Sequence, residues 1–271
     1  MRGYVALFST VFQQHLQYRV SAIAGAFTNI AFGFFRIFLL TAFYGAGGAI
    51  QPMTLPELYS YLWFGQVLFS VLPIVGLFSA DAEEIRSGEV AYRLTRPVSL
   101  YGFYFARVLG QKTTALCTRS LLQVVILFGV LPLVGLSRYT MGAPDLGYLP
   151  LLLVSVLLTM FLSAAIHTLV YMTGFWTISV RGSSSLVYAV TSLFSGLLVP
   201  LAFFPPALKR LAEFLPFRAI YDTPALLYNG SIDPARIGGA LSHQVVWLAV
   251  IIIAGWVLAQ RGTARLEVAG G

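Results

Sequence analysis

Three histidines are the side chains of this sequence with the widest catalytic and metal-binding chemistry. None of His15, His167 and His243 has a second histidine, a cysteine or an acidic residue at the spacing of metal ligands. The single cysteine, Cys117, has no partner for an internal disulfide bond. The sequence therefore predicts no metal site and no disulfide framework in this chain.

A serine nucleophile is the next chemistry to consider, because Gly182 and Ser183 resemble part of a nucleophile turn. They follow Arg181 directly, at a predicted cytoplasmic turn where glycine and serine are ordinary loop residues. The available base, His167, falls about mid-span and therefore far from that turn. We expect no catalytic residue in this chain.

The two lysines decide whether the chain can bind the phosphates of ATP by itself. A phosphate-binding loop places glycine directly before its lysine, so that backbone amides wrap the phosphates. Gln111 precedes Lys112 and Leu208 precedes Lys209, so neither lysine fits that pattern. If ATP drives this protein, another polypeptide binds it.

Polar side chains inside long apolar stretches form a different kind of candidate site. Arg36 and Arg119 are the charges there, and such charges cost a few kcal/mol and tend to face a protein interior or a water-filled path. The uncharged candidates for the same interior are Asn29, Gln66, Gln123 and His167. We predict a translocation path at the two arginines and the three amides, although hydrogen bonding between helices explains the amides equally well. No acidic residue lies mid-span, which weighs against an ion-coupled transporter.

The composition explains why these stretches are interpreted as membrane-spanning. Of 271 residues, 58% are hydrophobic and 10% are charged, against about 25% charged in soluble domains. A bilayer accepts apolar side chains all around a helix, and a spanning helix needs about 20 of them. The net charge of +7 is scattered between the apolar stretches, which fits membrane orientation better than nucleic-acid binding. We predict one all-α polytopic membrane domain over residues 1–271, surrounded by lipid.

Six apolar stretches and one preceding amphipathic segment organise the chain. We predict an interfacial amphipathic helix over residues 1–20, because Thr10, Gln13, Gln14 and Gln17 form a polar stripe at helical spacing. The alternative is an extension of the first span into water. The six predicted transmembrane helices are residues 21–44, 58–78, 108–136, 148–178, 184–204 and 239–259.

Basic residues between these stretches predict the orientation. With the N-terminus inside, ten basic residues lie on the cytoplasmic side and five lie outside. The inside residues are Arg2, Arg19, Arg86, Arg93, Arg96, Arg107, Lys112, Arg181, Arg261 and Arg265. The outside residues are Arg138, Lys209, Arg210, Arg218 and Arg236. Because cytoplasmic loops carry the excess of Lys and Arg, both termini are predicted to be cytoplasmic.

Two segments between spans carry patterns of their own. Residues 79–105 are predicted to be cytoplasmic and hold many charges of both signs, which fits either a solvated loop or a docking surface for a soluble partner. Residues 200–236 are predicted to be external and contain two short helical pieces, separated at Pro216 and ended by Asn229 and Gly230. Two short helices that dip into the outer leaflet and return leave no irregular backbone in lipid.

This layout resembles the permeases of type-2 ABC exporters, whose ATPase subunits are separate polypeptides. The most specific run consists of Ile85, Arg86, Ser87, Gly88, Glu89 and Val90, continuing to Leu94, Thr95, Arg96, Pro97 and Val98. The proline-rich stretch 200–230 matches as well, and the basic tail ending on Gly270 and Gly271 is the least specific feature. The resemblance covers essentially the whole chain.

The resemblance implies a cytoplasmic coupling helix, residues 81–94, that fits a groove on an ATPase. Its implied docking residues are Asp81, Glu84, Arg86, Gly88, Glu89 and Arg93. It also implies a dimer of ATPases, a second permease that is identical or paralogous, and a multi-pass location in a bacterial inner (cytoplasmic) membrane. No cofactor is expected on this chain, since ATP and Mg²⁺ would bind the ATPase partner.

The same resemblance implies that outer re-entrant helices between spans five and six gate the exit. The residues selected there are Pro205, Pro206, Phe214, Pro216 and Tyr221. The sequence leaves two other functions open, a secondary transporter or channel without an ATPase and a structural or assembly protein whose charged loop is only solvated. A lipid, an amphipathic drug and a peptide are equally compatible substrates.

Overall fold

The computed structural model describes residues 2–46, 51–72, 84–85, 87, 89–94, 98–177 and 180–265. These residues form helices and connecting turns, with no strand among them. The helices are α1 (Arg2–Leu16), α2 (Arg19–Ala46), α3 (Leu55–Leu68), α4 (Leu100–Leu133), α5 (Leu149–Met172), α6 (Val180–Phe194), α7 (Pro206–Phe214), α8 (Asp222–Tyr228) and α9 (Pro234–Thr263). Short 3₁₀ turns are Phe69–Val71, Glu89–Arg93, Ser137–Tyr139, Thr173–Phe175, Leu201–Phe203 and Pro216–Ile220.

Four of the described helices are long and apolar enough to cross a membrane: α2, α4, α5 and α9. They coincide with the predicted first, third, fourth and sixth spans. Helices α3 and α6 coincide with parts of the second and fifth, but they have only 14 and 15 residues. Residues 73–78 of the predicted second span lie outside the described residues. The all-helical membrane fold is therefore confirmed, whereas the count of six spans stays a prediction.

The boundaries of the predicted fifth span, 184–204, are wrong at both ends. Helix α6 begins at Val180 and ends at Phe194, and the chain then turns through Gly196. That glycine has φ of +87°, a left-handed backbone that ends a helix and that only glycine adopts without strain. Pro200, which cannot continue a helix, follows four residues later.

Helix α1 is separate from α2, since a turn at Gln17 and Tyr18 interrupts the helix. The predicted polar stripe is exposed on it, while Val11 is buried against α4. The Tyr4 hydroxyl lies 3.1 Å from Ser99 Oγ, and Thr114 Oγ1 donates to the Phe12 carbonyl at 3.3 Å. From the first of these contacts to the second, the residue numbers increase in both helices. Helix α1 therefore runs parallel to the first turns of α4.

Helix α4 begins eight residues before the predicted third span. The Ser99 side chain caps it by accepting from the Gly102 amide at 3.2 Å, and this cap sets the earlier start. Its 34 residues extend about 50 Å, against about 30 Å for the hydrocarbon core of a bilayer. We call the end of the bundle with α1 and the start of α4 the α1 end, and the end with α7 and α8 the α7 end.

The main core is built around α3, which is buried on every side from Leu58 to Leu68. Trp63 is fully buried in it, packs edge-on against Phe34 of α2 at 5.2 Å between ring centroids, and donates its indole N–H to the Tyr139 carbonyl at 2.6 Å. Gly33 of α2 faces this ring so closely that a Cβ atom there would overlap it. Close contact between α2 and α3 therefore depends on a missing side chain.

We expect Gly33→Ala to destabilise the protein by about 1–3 kcal/mol, because the enclosed Trp63 ring has no space to yield. The matched control is Gly239→Ala in α9, where an added Cβ has no neighbour within 4 Å. Thermal unfolding of both variants in the same detergent, followed by size-exclusion chromatography, measures the difference. Equal melting temperatures for the two variants would contradict this packing.

Candidate functional site

The second predicted span is interrupted inside the bundle. Helix α3 ends at Leu68, one 3₁₀ turn follows, and Leu72 is extended with φ of −55° and ψ of 150°. The next residue in the sequence is Pro73, and a proline disfavours helical backbone in the residue before it. The last carbonyl groups of this segment therefore need hydrogen-bond donors from elsewhere in the protein.

Lys112 of α4 supplies these partners. Its Nζ donates to the carbonyl oxygens of Val71 at 2.9 Å and Leu72 at 2.7 Å, and the side chain is only 5% exposed. Ser163 of α5 also donates to the Val71 carbonyl, and Ser120 of α4 donates to the Val67 carbonyl. An ammonium group at the carbonyl end of a helix is favourable electrostatically as well as through its hydrogen bonds.

A cavity of about 330 Å³ lies beside this break, between α3, α4 and α5. Its lining residues are Phe69, Ser70, Leu72, Gln111, Lys112, Ala115, Arg119 and His167. Neither ring nitrogen of His167 has a hydrogen-bond partner in the described part of the chain, and the same holds for Arg119 Nε. We call Lys112, Arg119 and His167 the basic cluster.

Helix α4 is locally widened where it carries Arg119. Two π-helical turns, Leu116–Ser120 and Ile126–Val130, flank a short α-helical piece that contains Gln123. Such turns occur frequently at functional sites. Gln123 is 1% exposed, and neither atom of its amide has a hydrogen-bond partner among the described residues. Of the two path residues predicted on α4, Gln123 is therefore in the interior and Arg119 is half-buried, both on an irregular part of the helix.

The other three predicted path residues meet each other between α2 and α3. With the Gln66 amide oriented to satisfy both of its atoms, its nitrogen donates to the Asn29 carbonyl at 3.2 Å and its oxygen accepts from Arg36 Nη1 at 3.1 Å. Arg36 Nη2 also donates to the Leu198 carbonyl at 3.4 Å. The contacts of Gln66 and Arg36 are hydrogen bonds between elements, as the second interpretation of the amides predicts, while the Asn29 amide nitrogen has no partner in the described chain.

At the α7 end, a polar group joins α3 to the segment before α9. The Tyr61 hydroxyl donates to Asp222 Oδ1 at 2.9 Å, and the Tyr221 hydroxyl donates to the Tyr61 carbonyl. Arg218 Nε lies 3.4 Å from Asp222 Oδ2. Burial raises the pKa of Asp222 above its ordinary value, and the nearby Arg218 charge opposes that increase.

The five residues predicted to gate the exit do not form one cluster. Pro216 and Tyr221 are buried, the latter completely, whereas Pro205 and Pro206 are exposed at the start of α7. Phe214 is 71% exposed, with its ring edge-on to Trp247 of α9 at 6.1 Å. The two short helices form as predicted, but only Pro216 and Tyr221 belong to the packed interior.

The predicted coupling segment is partly described, and Asp81, Arg86 and Gly88 lie outside the described residues. Arg93 and Glu84 form an ion pair, with Nη2 2.8 Å from Oε2, and the Arg93 guanidinium lies 4.3 Å from the centroid of the Phe103 ring on α4. The hydrogen bonds that Arg93 donates to the Glu84 carboxylate raise the pKa of Arg93. Val90 is fully buried and Glu89 is exposed. The segment is thus anchored to α4 and presents Glu89 outward.

Fold and site together define a polytopic helical membrane protein with charged groups in its interior, which is typical of transport proteins. A model of the family described as ABC-2 family transporter protein matches residues 30–270. The chain therefore belongs to the ABC-2 transporter family and is a membrane-embedded permease, a transport subunit that is not itself catalytic. No curated protein matches the sequence. The predicted recognition of an ABC-2 type permease is confirmed.

Sequence analysis missed the position of Lys112, which it counted among the charges flanking the spans. The structure buries this residue inside the bundle, so the charge count becomes nine inside against five outside. The sequence also predicted His167 about mid-span, although this residue lies five positions before Met172, the end of α5. Pro73 was the available signal, since it breaks a helix within the predicted second span and leaves carbonyls that need a donor.

We expect Lys112→Met to lower thermal stability, because the buried Leu72 carbonyl loses its donor at a cost of about 1–3 kcal/mol, whereas Ser163 still donates to the Val71 carbonyl. The chain contains one other lysine, the exposed Lys209 on α7, and Lys209→Met removes the same charge without burying an unsatisfied group. Melting curves of the two variants in one detergent provide the comparison. A Lys112→Met protein as stable as Lys209→Met would show that these carbonyls have other partners.

Proposed function

We propose that this chain is the transmembrane subunit of an ABC exporter that works as a dimer of identical or paralogous permeases. Separate ATPase subunits bind ATP and Mg²⁺ and drive it through the segment around residues 81–94. The family supports a permease with an ATPase partner. The observation that carries the docking assignment is the anchoring of this segment to α4, through Arg93 on Phe103, while Glu89 remains exposed.

The anchoring gives the segment a mechanical connection to the interior. Ile85 lies against Gly174, at the turn that ends α5, and Arg93 lies against the first turn of α4. Helix α4 continues from there without a break in its helical backbone to Lys112 and Arg119. A displacement of the segment by closing ATPases would therefore move the start of α4 and the end of α5 relative to α2.

The proposed path follows the interior polar groups. It runs from the α1 end past Arg119 and Gln123 of α4 to the Asn29, Gln66 and Arg36 group. The segment from α7 to α8 forms the outer gate, and its Tyr221 hydroxyl donates a hydrogen bond to the Tyr61 carbonyl of α3. Both termini lie in the cytoplasm of the inner membrane in this proposal, since basic residues predominate on that side.

Purification of the tagged protein from its source cells in a mild detergent tests the ATPase partnership. We expect a stoichiometric soluble ATPase to remain bound, and we expect Glu89→Lys to reduce it several-fold, because an exposed contact charge is reversed without disturbing the fold. Glu213→Lys on α7, at the opposite end, is the matched control and should retain the ATPase. A stable wild-type protein without any ATPase would favour an autonomous transporter or channel.

A charge exchange tests whether the Glu84–Arg93 pair holds the docking segment in shape. Glu84→Arg and Arg93→Glu each place like charges together, so each should reduce the bound ATPase. The double variant restores an opposite pair and should recover most of the binding. The same co-purification measures all three proteins, and a double variant no better than the single ones would contradict this role for the pair.

A further inference from the structure

The basic cluster has no counter-charge in the described part of the chain. Arg119 Nε and both His167 nitrogens have no hydrogen-bond partner there, and no carboxylate lines their cavity. Lys112 uses two of its three protons on carbonyl groups, which are neutral. Charges inside a membrane protein are costly unless they are paired or face a ligand path. This arrangement leaves positive charge and free donors directed at the cavity.

The position of Arg119 is prepared by its surroundings. Its guanidinium lies against Gly25 of α2, where an added Cβ would be only 2.5 Å from the guanidinium carbon. Residue 25 therefore needs to be small for Arg119 to stay in this position. Arg119 also borders a second cavity, of about 100 Å³, on the side of α4 that faces the α1–α2 turn. The guanidinium thus lies between the two cavities, and a side-chain rotation can direct its donors into the larger cavity.

Helix lengths give the depth of the cavity in the membrane. Lys112 is 21 residues from Leu133, the end of α4, which corresponds to about 30 Å along the helix. His167 is 18 residues from Leu149, the start of α5, or about 27 Å. These lengths equal the thickness of the hydrocarbon core, about 30 Å. If the α7 ends of both helices lie at one face of the bilayer, Lys112 and His167 lie at the other face, at the depth of lipid head groups. The backbone of Arg119, seven residues further along α4, lies about 10 Å deeper and borders the same cavity from the inside.

We propose that this cavity binds the acidic head group of an amphiphile, a phosphate or carboxylate whose apolar tail remains in the bilayer. Arg119 offers a planar fork of donors, Lys112 its remaining proton and a point charge, and His167 a ring N–H. A cavity of about 330 Å³ is many times the space that one water molecule needs, so it has room for a head group and its water. This inference rests on the proposed function and names the substrate class of that permease.

The test is performed on the purified permease alone, so it does not require an ATPase partner. The protein is placed in nanodiscs of phosphatidylcholine with or without phosphatidylglycerol, and native mass spectrometry counts the lipids that stay bound after release into detergent. We expect the wild type to retain phosphatidylglycerol in preference to phosphatidylcholine. Arg119→Gln should weaken this retention by about tenfold or more, since it removes charge-assisted hydrogen bonds.

Three further variants make the result specific. Arg138→Gln removes an exposed arginine from the turn after α4, at the α7 end, and should retain the acidic lipid like the wild type. Arg119→Lys keeps the charge and should retain part of the binding. Gly25→Ala keeps all charges but displaces the guanidinium, and should lose binding as Arg119→Gln does. If Arg119→Gln does not yield folded protein, Gly25→Ala provides the decisive comparison.

Equal retention of phosphatidylglycerol by the wild type and Gly25→Ala, or no preference over phosphatidylcholine, would overturn the proposal. Inorganic phosphate, titrated into the phosphatidylglycerol sample, separates the two sources of an acidic group. Failure of millimolar phosphate to displace the lipid supports the amphiphile, whereas full displacement would overturn it in favour of a soluble anion. Neither result affects the ATPase partnership, which fails separately if co-purification yields no ATPase.

Discussion

A lipid bilayer offers no hydrogen-bond partner to the open end of a helix, and this constraint determines how the interior is built. Helix α3 stops inside the bundle, so its last carbonyls must be satisfied by other helices. Lys112, Ser120 and Ser163 do this from α4 and α5. The close approach of these helices, and the burial of a lysine among apolar side chains, both follow from that requirement.

The same requirement makes α4 the element that connects the parts of the molecule. Its first turns contact α1 and Arg93 of the predicted coupling segment. Its middle holds Lys112 against the broken helix, and its irregular part carries Arg119 and Gln123. A helix about 20 Å longer than the hydrocarbon core can reach from a soluble partner into the membrane interior. In the proposed function, this one helix would serve both attachment and transmission.

The long apolar helices were predictable from the sequence, because length and hydropathy alone identify α2, α4, α5 and α9. The interior polar groups were predictable for a related reason, since an amide or arginine in an apolar stretch is costly unless it faces other polar groups. Lys112 was not, because the start of α4 depends on the Ser99 cap, and the aromatic residues before Lys112 looked like a loop. The difference in burial among the predicted gate residues depends on tertiary packing, which buries Tyr221 against α3 and leaves Phe214 exposed.

The order of charges along α2 bears on how an acidic group would cross the bundle. Arg119 meets α2 at Gly25, and Arg36 lies 11 residues further towards the α7 end, about 16 Å along the helix. On the proposed path, an acidic head group would leave one cation and meet a second whose partners are neutral. Beyond Arg36, the half-buried Arg218 already faces Asp222. On the proposed path, the interior would therefore attract an acidic group between Arg119 and Arg36, and the direction of its movement would have to come from the ATPase cycle.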